Sequence, residues 1–101
     1  MDGLNGRRKA LGLSPAHLDG ALSDECLVQA KKMAEAGYTF HTVMPTGCEG
    51  VAKVPDNFPA ELMGDFMCTH VPNFLDKDRY RVGVAVVKSN NSLFVVVQGA
   101  Y

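Results

Sequence analysis

The last quarter of the chain constrains the fold most, because it reads as two strands joined by a tight turn. The segments "RYRVGVAVVK" and "SLFVVVQGAY" flank "SNNS", whose Asn90 and Asn91 suit the two positive-φ positions of a hairpin turn. The first strand is apolar on both faces, with Tyr80, Val82, Val84 and Val86 on one face and Gly83, Ala85 and Val87 on the other. A hairpin that is apolar on both faces needs cover on both, so we expect helices on each side of a small antiparallel sheet.

Length and composition exclude several classes of protein. The 101 residues are 47% hydrophobic and 21% charged, which is typical of a globular chain and too apolar for disorder. This length corresponds to a single domain spanning residues 1–101, large enough to form a core without metal or disulfides. Ten Lys and Arg residues against eleven Asp and Glu residues leave no basic excess, which argues against nucleic acid as a partner. No apolar run approaches the roughly 20 residues that span a bilayer, so we expect no transmembrane segment.

Two helices are expected in the first third of the chain. The first runs from about Leu4 to Leu11 and is ended by Gly12. The second is capped by Asp19, runs to about Ala36 and is ended by Gly37. Its apolar residues recur at spacings of three and four, on one face: Leu22, Cys26, Ala30, Met33 and Ala34.

The middle of the chain carries the remaining predicted elements. "YTFHTVM", rich in aromatic and β-branched residues, predicts a short strand over 38–44. The following segment, 45–57, reads as a loop with a short extended piece around Val51, and a third helix should begin near Asn57 or Pro59. The apolar stripe of that helix favours packing on the sheet over a lipid groove: Leu62, Met63, Phe66 and Met67. Together these elements predict an α+β domain, an α-β-α sandwich with a small antiparallel sheet between helices.

Two histidines and a carboxylate are the candidate functional residues. His41 lies within the predicted strand at 38–44, Glu49 follows the next turn, and His70 follows Cys68. Two neutral imidazoles and a carboxylate are ligands of open zinc sites. His41 and His70 lie far apart in the sequence and on different elements, so only the fold could join them. The alternative is that His41 bonds a loop carbonyl and Glu49 caps nearby N–H groups.

The cysteine count of three argues against a complete disulfide framework. Cys26 falls on the apolar face of the second helix and should be a core residue. Cys48 with Cys68 is the disulfide that we would test first. A catalytic role for Cys48 would require a lowered thiol pKa and a neighbouring base, neither of which the sequence indicates.

Several short motifs follow one another along the chain in a characteristic order. The opening carries Asn5, Arg8, the "GLSP" turn and Asp19. Then come His41 in "YTFH", Glu49 in "CEG", Phe66 and His70 in "DFMCTH", and the closing "VGV" strand and hairpin. This order resembles that of the CAP superfamily of secreted, SCP-like domains. The family's usual helix Trp is replaced by Phe66, and Thr69 stands where a second acid is common.

The resemblance implies an α-β-α sandwich and a cleft lined by two histidines and two acidic residues. Carried onto this sequence, the cleft residues are His41, Glu49, His70 and, as the fourth, Glu61, with His41 and His70 as metal ligands. Members of the superfamily are mostly secreted, several bind a divalent metal such as zinc, and a few bind lipids. We therefore expect a minimal, bacterial-type member that is extracellular after removal of a leader, with a cytoplasmic location as the alternative.

Three functional hypotheses follow. The first is a binding or interaction domain whose cleft takes a small molecule, a lipid, a protein ligand or Zn²⁺. The alternative is a zinc-dependent hydrolase of peptide or cell-wall material, with Glu49 as general base. The third is a structural module whose cleft is vestigial. Enzymatic activity and oligomeric state are left open.

Overall fold

The computed structural model describes residues 2–43, 48–57 and 81–100, which form two helices and one four-stranded sheet. The elements, in chain order, are α1 (Asp2–Ala10), β1 (His17–Leu18), α2 (Gly20–Ala36), β2 (Cys48–Pro55), β3 (Arg81–Ser89) and β4 (Ser92–Ala100). The strand order is β1-β3-β4-β2, with β1 parallel to β3 and the other pairs antiparallel. The α+β class is therefore confirmed, but the sheet is mixed rather than antiparallel throughout.

The C-terminal hairpin forms as predicted. β3 and β4 pair from Arg81↔Ala100 to Ser89↔Ser92, around a turn in which Asn90 has φ 49° and Asn91 has φ 65°. Asparagine tolerates this left-handed conformation better than most residues, and two such residues in succession give a turn whose twist matches that of the strands.

Each face of the hairpin packs against a different part of the chain. On one face, three sheet residues contact three residues of α2: Ala85, Phe94 and Val96 with Cys26, Ala30 and Met33. On the other face, the buried cluster joins four sheet residues with Leu4 of α1 and the loop residue Ala16: Val82, Leu93, Val95 and Val97. Apolar alternation along the strands thus creates two cores, one on each side of the sheet.

The two helices match their predicted limits closely. Asp19 caps α2 by accepting the N–H of Leu22 at 2.9 Å, and Gly37 ends it with φ 84° while donating to the carbonyl of Met33. The helix α1 ends at Ala10, just before Gly12 with φ 73°. Both helix ends therefore follow from local capping signals.

In the described part of the predicted 38–44 strand, residues 38–43 are irregular and form no strand. The backbone there bonds side chains instead of a neighbouring strand: the carbonyl of Phe40 accepts from Gln29, and the N–H of Thr42 donates to Glu49. Aromatic and β-branched composition favours a strand only where a ladder partner is available.

The region predicted as a loop with a short extended piece around Val51 contains a longer strand, β2, which pairs with β4 over its whole length. Its glycine, lysine and proline weaken the strand pattern in the sequence, and pairing with the buried β4 supplies the stabilisation. β2 is an edge strand of the described sheet, and Pro55 at its end is tolerated because its missing N–H breaks no inner ladder. The predicted third helix lies outside the described residues.

The helix α2 approaches the sheet closely above Gly83. A Cβ atom at this position would lie 2.4 Å from the carbonyl carbon of Leu22, so only glycine fits without displacing the helix. Gly83 pairs with Gln98, and Gln98 pairs with Glu49 on its other side. The row Gly83–Gln98–Glu49 therefore crosses three strands on the face that α2 covers.

The loop between α1 and β1 is held by two polar residues of α1. Asn5 bonds the backbone of Ala16 in both directions, accepting at 2.7 Å and donating at 3.2 Å. The fully buried Arg8 donates from Nε to the carbonyl of Ser14 at 2.7 Å. Both side chains fix the entry of the chain into the sheet.

Candidate functional site

A polar cluster lies at the edge of the α2-covered face, with Glu49 at its centre. The other members are His41, Thr42, Gln98 and Glu25. Glu49 is the second residue of β2, and its side chain is only 1% exposed. Its carboxylate takes part in four hydrogen bonds, two on each oxygen. The partners are His41 Nδ1 (2.9 Å) and Thr42 N (2.8 Å) on Oε1, and Thr42 Oγ1 (2.5 Å) and Gln98 Nε2 (2.8 Å) on Oε2. Since a carboxylate offers about four lone-pair positions, both oxygens are fully used.

These contacts keep Glu49 ionised despite its burial. Burial by itself raises the pKa of the Glu49 carboxyl. The hydrogen bonds from Thr42, Gln98 and His41 outweigh burial and lower its pKa below the usual value of 4.5. Glu49 is therefore a fixed negative charge beneath the surface at neutral pH.

His41 forms the exposed half of the pair. Its side chain is 64% exposed, and its Nδ1 lies 2.9 Å from Glu49 Oε1. An ionised carboxylate only accepts hydrogen bonds, so this contact requires the proton on Nδ1. In the neutral imidazole, the lone pair then lies on Nε2. Glu49 thus selects the tautomer in which Nε2 can accept from a proton donor or bind a cation.

The segment that carries His41 is anchored on both sides of the histidine. The buried amide of Gln29, on α2, donates to the carbonyl of Phe40 at 2.8 Å, and Phe40 itself packs against the α2-side core. Thr42 donates twice to Glu49. The imidazole is therefore held by a segment with fixed backbone on either side, as is usual for binding residues on loops.

Gln98 extends the cluster into the interior. It is fully buried on β4, and its Nε2 donates to Glu49 Oε2 at 2.8 Å and to Glu25 Oε1 at 3.3 Å. Its Oε1 has no hydrogen-bond partner among the described residues. Gln98, Thr42 and Glu25 were not predicted from the sequence. The available signal was Gln98 itself, the lone polar side chain at the end of the apolar run "LFVVVQ".

The two described cysteines are free thiols with no place in this cluster's chemistry. Cys26 is a core residue as predicted, and burial, followed by the charges of Glu49 and Glu25, raises the pKa of its thiol to about 12. Cys48 lies on the opposite face of the sheet from Glu49, where its thiol donates to the carbonyl of Gly99 at 3.6 Å. Cys48 therefore lies on the face of the sheet opposite the Glu49–His41 pair. Cys68, its partner in the disulfide that we would test first, lies outside the described residues.

The structure brings together two of the four predicted site residues. His41 and Glu49 are in direct contact, whereas Glu61 and His70, with Cys68 and the apolar stripe of the third helix, lie outside the described residues. Within residues 2–43, 48–57 and 81–100, no group of three or more His, Cys, Asp or Glu side chains is arranged to hold a metal ion. No helix in this part of the chain is both long enough and apolar enough to cross a membrane.

Comparison with known proteins shows a likeness at the level of the fold. No known family model matches this chain, and no curated protein sequence matches it. Among solved structures, the chain is similar to an outer surface protein from Borrelia burgdorferi, with a TM-score of 0.66 and 17% sequence identity. The match covers 98% of this chain and 87% of that protein. At this identity the likeness establishes a shared fold and nothing about activity.

These findings contradict the expected membership of the CAP superfamily, and we withdraw that assignment. The comparisons yield no family match, and the structural likeness is to a protein described only as an outer surface protein. The motif residues that suggested the family have local roles here: Asn5 and Arg8 fix a loop, and Asp19 caps a helix. Capping and turn residues of these types recur in unrelated folds, so short motifs built from them identify a family poorly.

Proposed function

We propose that this chain is a binding module of a secreted or cell-surface protein, with His41 as the residue that faces the ligand. The observation that supports this most is the bond between the exposed His41 and the buried Glu49, whose carboxylate is fully occupied by hydrogen bonds. A carboxylate on Nδ1 fixes the tautomer and the orientation of the ring, an arrangement found behind metal-bound histidines. The ligand would therefore be a divalent cation such as Zn²⁺ or a polar molecule with a hydrogen-bond donor.

Two features of the proposal draw on observations outside the polar cluster. The surface location draws its support from the similar protein of Borrelia burgdorferi, which is described as an outer surface protein. The α-β-α sandwich draws its support from Leu4 of α1, which packs on the face opposite α2. In the metal-binding form, His70 is the proposed second ligand and Glu61 a further cleft residue.

The hydrolase alternative requires a change of roles among these residues. Glu49 would have to release one of its four hydrogen bonds before it could accept a proton from water, and its lowered pKa makes it a weak base. His41 has, in Nε2, the nitrogen lone pair that a general base needs. A hydrolase acting on peptide or cell-wall material would therefore use His41 for proton transfer and Glu49 to orient it.

Zinc titration by calorimetry tests the metal-binding form, with a second exposed histidine as the control. His17 lies on β1, is exposed and has no part in the cluster. We expect the wild type and His17→Ala to bind Zn²⁺ equally, and His41→Ala to lose binding. Glu49→Gln should weaken it by about 10- to 100-fold, as for other partners of ligating histidines. Measurable and equal heats for His41→Ala and the wild type would contradict the role of His41, and negligible heat for all four proteins would exclude the metal-binding form of the proposal.

A further inference from the structure

The buried amide of Gln98 is placed where three elements meet. On the neighbouring strand β3, Gly83 allows the first turns of α2 to approach the sheet. This approach brings Glu25 of α2 within hydrogen-bonding distance of Gln98. Beside it, in the pairing register, lies Glu49 on β2. Gln98 Nε2 has two protons, and each is directed to one of these carboxylates.

The other half of the same amide is left without a partner by the described part of the chain. Gln98 is fully buried, and its Oε1 accepts no hydrogen bond from residues 2–43, 48–57 or 81–100. A buried carbonyl without a partner destabilises the folded protein, and an apolar side chain of the same length would avoid that loss. Shape complementarity therefore does not account for glutamine at this position, whereas the donation from Nε2 to Glu49 does.

Each hydrogen bond to Glu49 favours its ionised form. Thr42, from the segment that carries His41, supplies two of these bonds, and Gln98 supplies the bond that comes from the protein interior. The other described titratable groups near Glu49 are His41 on that segment and Glu25 and Cys26 on α2. Glu25 shares the Gln98 amide with Glu49, and the donor at Gln98 helps to offset the burial of the Glu49 carboxylate.

We propose that Gln98 is the positioning residue of this site: its buried amide holds the Glu49 carboxylate in place so that His41 keeps its proton on Nδ1 and presents Nε2. Gln98 does not contact the ligand and acts through Glu49. This inference rests on the proposed function for its purpose, since it concerns the same histidine. The inference predicts that a change at Gln98 alters the hold on Glu49 and, through it, the tautomer of His41. This effect can be measured without any ligand.

Nuclear magnetic resonance tests this effect in the variant Gln98→Met, which keeps the length of the side chain and removes the donor. We expect the His41 ring to gain population of the Nε2–H tautomer, because the amide of Gln98 no longer holds the Glu49 carboxylate in place. The matched control is Val96→Ala, which removes buried volume from the same face of β4 without touching Glu49. It should lower stability while leaving the His41 tautomer unchanged.

A measurement on the wild type keeps the inference testable if Gln98→Met fails to fold. The side-chain NH₂ protons of Gln98 should exchange slowly with water, and their chemical shifts should differ between the wild type and Glu49→Gln. Slow exchange with such a difference supports the inference. Shifts that are the same in both proteins, or a folded Gln98→Met with the wild-type His41 tautomer, would overturn it. Absence of zinc binding would not affect these readouts, so the proposed function can fail separately.

Discussion

Two regions of this molecule are held together by different kinds of bond. In the hairpin of β3 and β4, backbone pairs with backbone from Arg81↔Ala100 to Ser89↔Ser92, and apolar side chains fill the space on both faces. In the segment 38–43, backbone groups pair with side chains, at Phe40 with Gln29 and at Thr42 with Glu49. The β3–β4 ladder is stabilised by many residues along both strands, whereas the conformation of segment 38–43 depends on a few polar side chains.

This difference explains where the candidate site is found. The hairpin and α2 provide a scaffold whose packing leaves little freedom, while the segment 38–43 presents an exposed imidazole from the edge of that scaffold. Changes in the scaffold should alter global stability, and changes in the segment should alter the geometry of His41. Substitutions in each region can separate these two kinds of effect.

The largest loss should come from the scaffold, through Phe94→Ala. Phe94 is 2% exposed and packs between β4 and α2. Its truncation should lower the free energy of unfolding by about 3–5 kcal/mol, because the lost contacts leave a cavity. Urea denaturation measures this, with Val87→Ala as the control, since Val87 pairs with Phe94 across the ladder but is only partly buried. Equal small losses for the two variants would contradict the packing described here.

Glu49→Gln should have the next largest effect and act mainly on the segment. The amide of the new side chain places an NH₂ group against a donor from Thr42 or Gln98, so one of these hydrogen bonds is lost. We expect the free energy of unfolding to fall by about 2–3 kcal/mol. Hydrogen exchange should quicken at Thr42 more than in β3 and β4. The control Glu35→Gln, at an exposed position on α2, should change neither quantity. Uniformly faster exchange across the sheet would contradict a local role for Glu49.

The difference in stability between the wild type and Glu49→Gln should depend on pH, and the sign of that dependence follows from the pKa of Glu49. Because hydrogen bonds lower the pKa of Glu49 in the folded state, the unfolded chain binds the proton more tightly. The resulting stabilisation is fully present above the usual glutamate pKa of 4.5 and is lost as pH falls through the lower, folded-state pKa. The stability difference between the wild type and Glu49→Gln should therefore be constant near neutrality and shrink in acid. A difference that grows in acid would mean that burial, not hydrogen bonding, dominates.

Gln29→Leu should produce a smaller loss, confined to the segment. It removes the donor to the carbonyl of Phe40, and we expect a loss of about 1–2 kcal/mol in the free energy of unfolding. Chemical shifts should move over 38–43 and leave the hairpin unchanged. Shifts in β4 of the same size as those at Phe40 would show that the two regions are not separable.

The smallest effect is expected at the hairpin turn. Asn91 has φ 65°, which glycine adopts without strain, so Asn91→Gly should stabilise the protein by a few tenths of a kcal/mol or leave it unchanged. The pairing Ser89↔Ser92 should persist in amide exchange. A loss above about 1 kcal/mol would show that the asparagine side chain contributes contacts beyond its backbone preference.

Local signals predicted the scaffold well. The cap at Asp19, the left-handed Gly37 and the Asn90–Asn91 turn each act within a few residues, so the sequence is enough to place them. The strand β1 was missed because it has only two residues. The strand β2 was predicted only as a short extended piece around Val51, because it is stabilised by its partner β4 rather than by its own composition. The segment 38–43 was misread as a strand because its partners, Gln29 and Glu49, are distant side chains.

The site was predicted only in part. The proximity of His41 to Glu49 was expected from a family resemblance that the comparisons contradict, and no periodicity in the sequence indicates it. Gln98 was overlooked because its role depends on the strand register and on the approach of α2 above Gly83. Such contacts arise from tertiary packing, which a pattern of residue types does not encode locally.

The tautomer of His41 tests the central claim most directly. Long-range ¹H–¹⁵N correlation of the imidazole rings at a pH where they are neutral distinguishes Nδ1–H from Nε2–H, and the exposed His17 provides a reference ring in the same sample. We predict that His41, unlike His17, carries its proton on Nδ1 and that the preference disappears in Glu49→Gln. If His41 instead shows the same tautomer mixture as His17, the pairing of imidazole and carboxylate on which the site depends is contradicted.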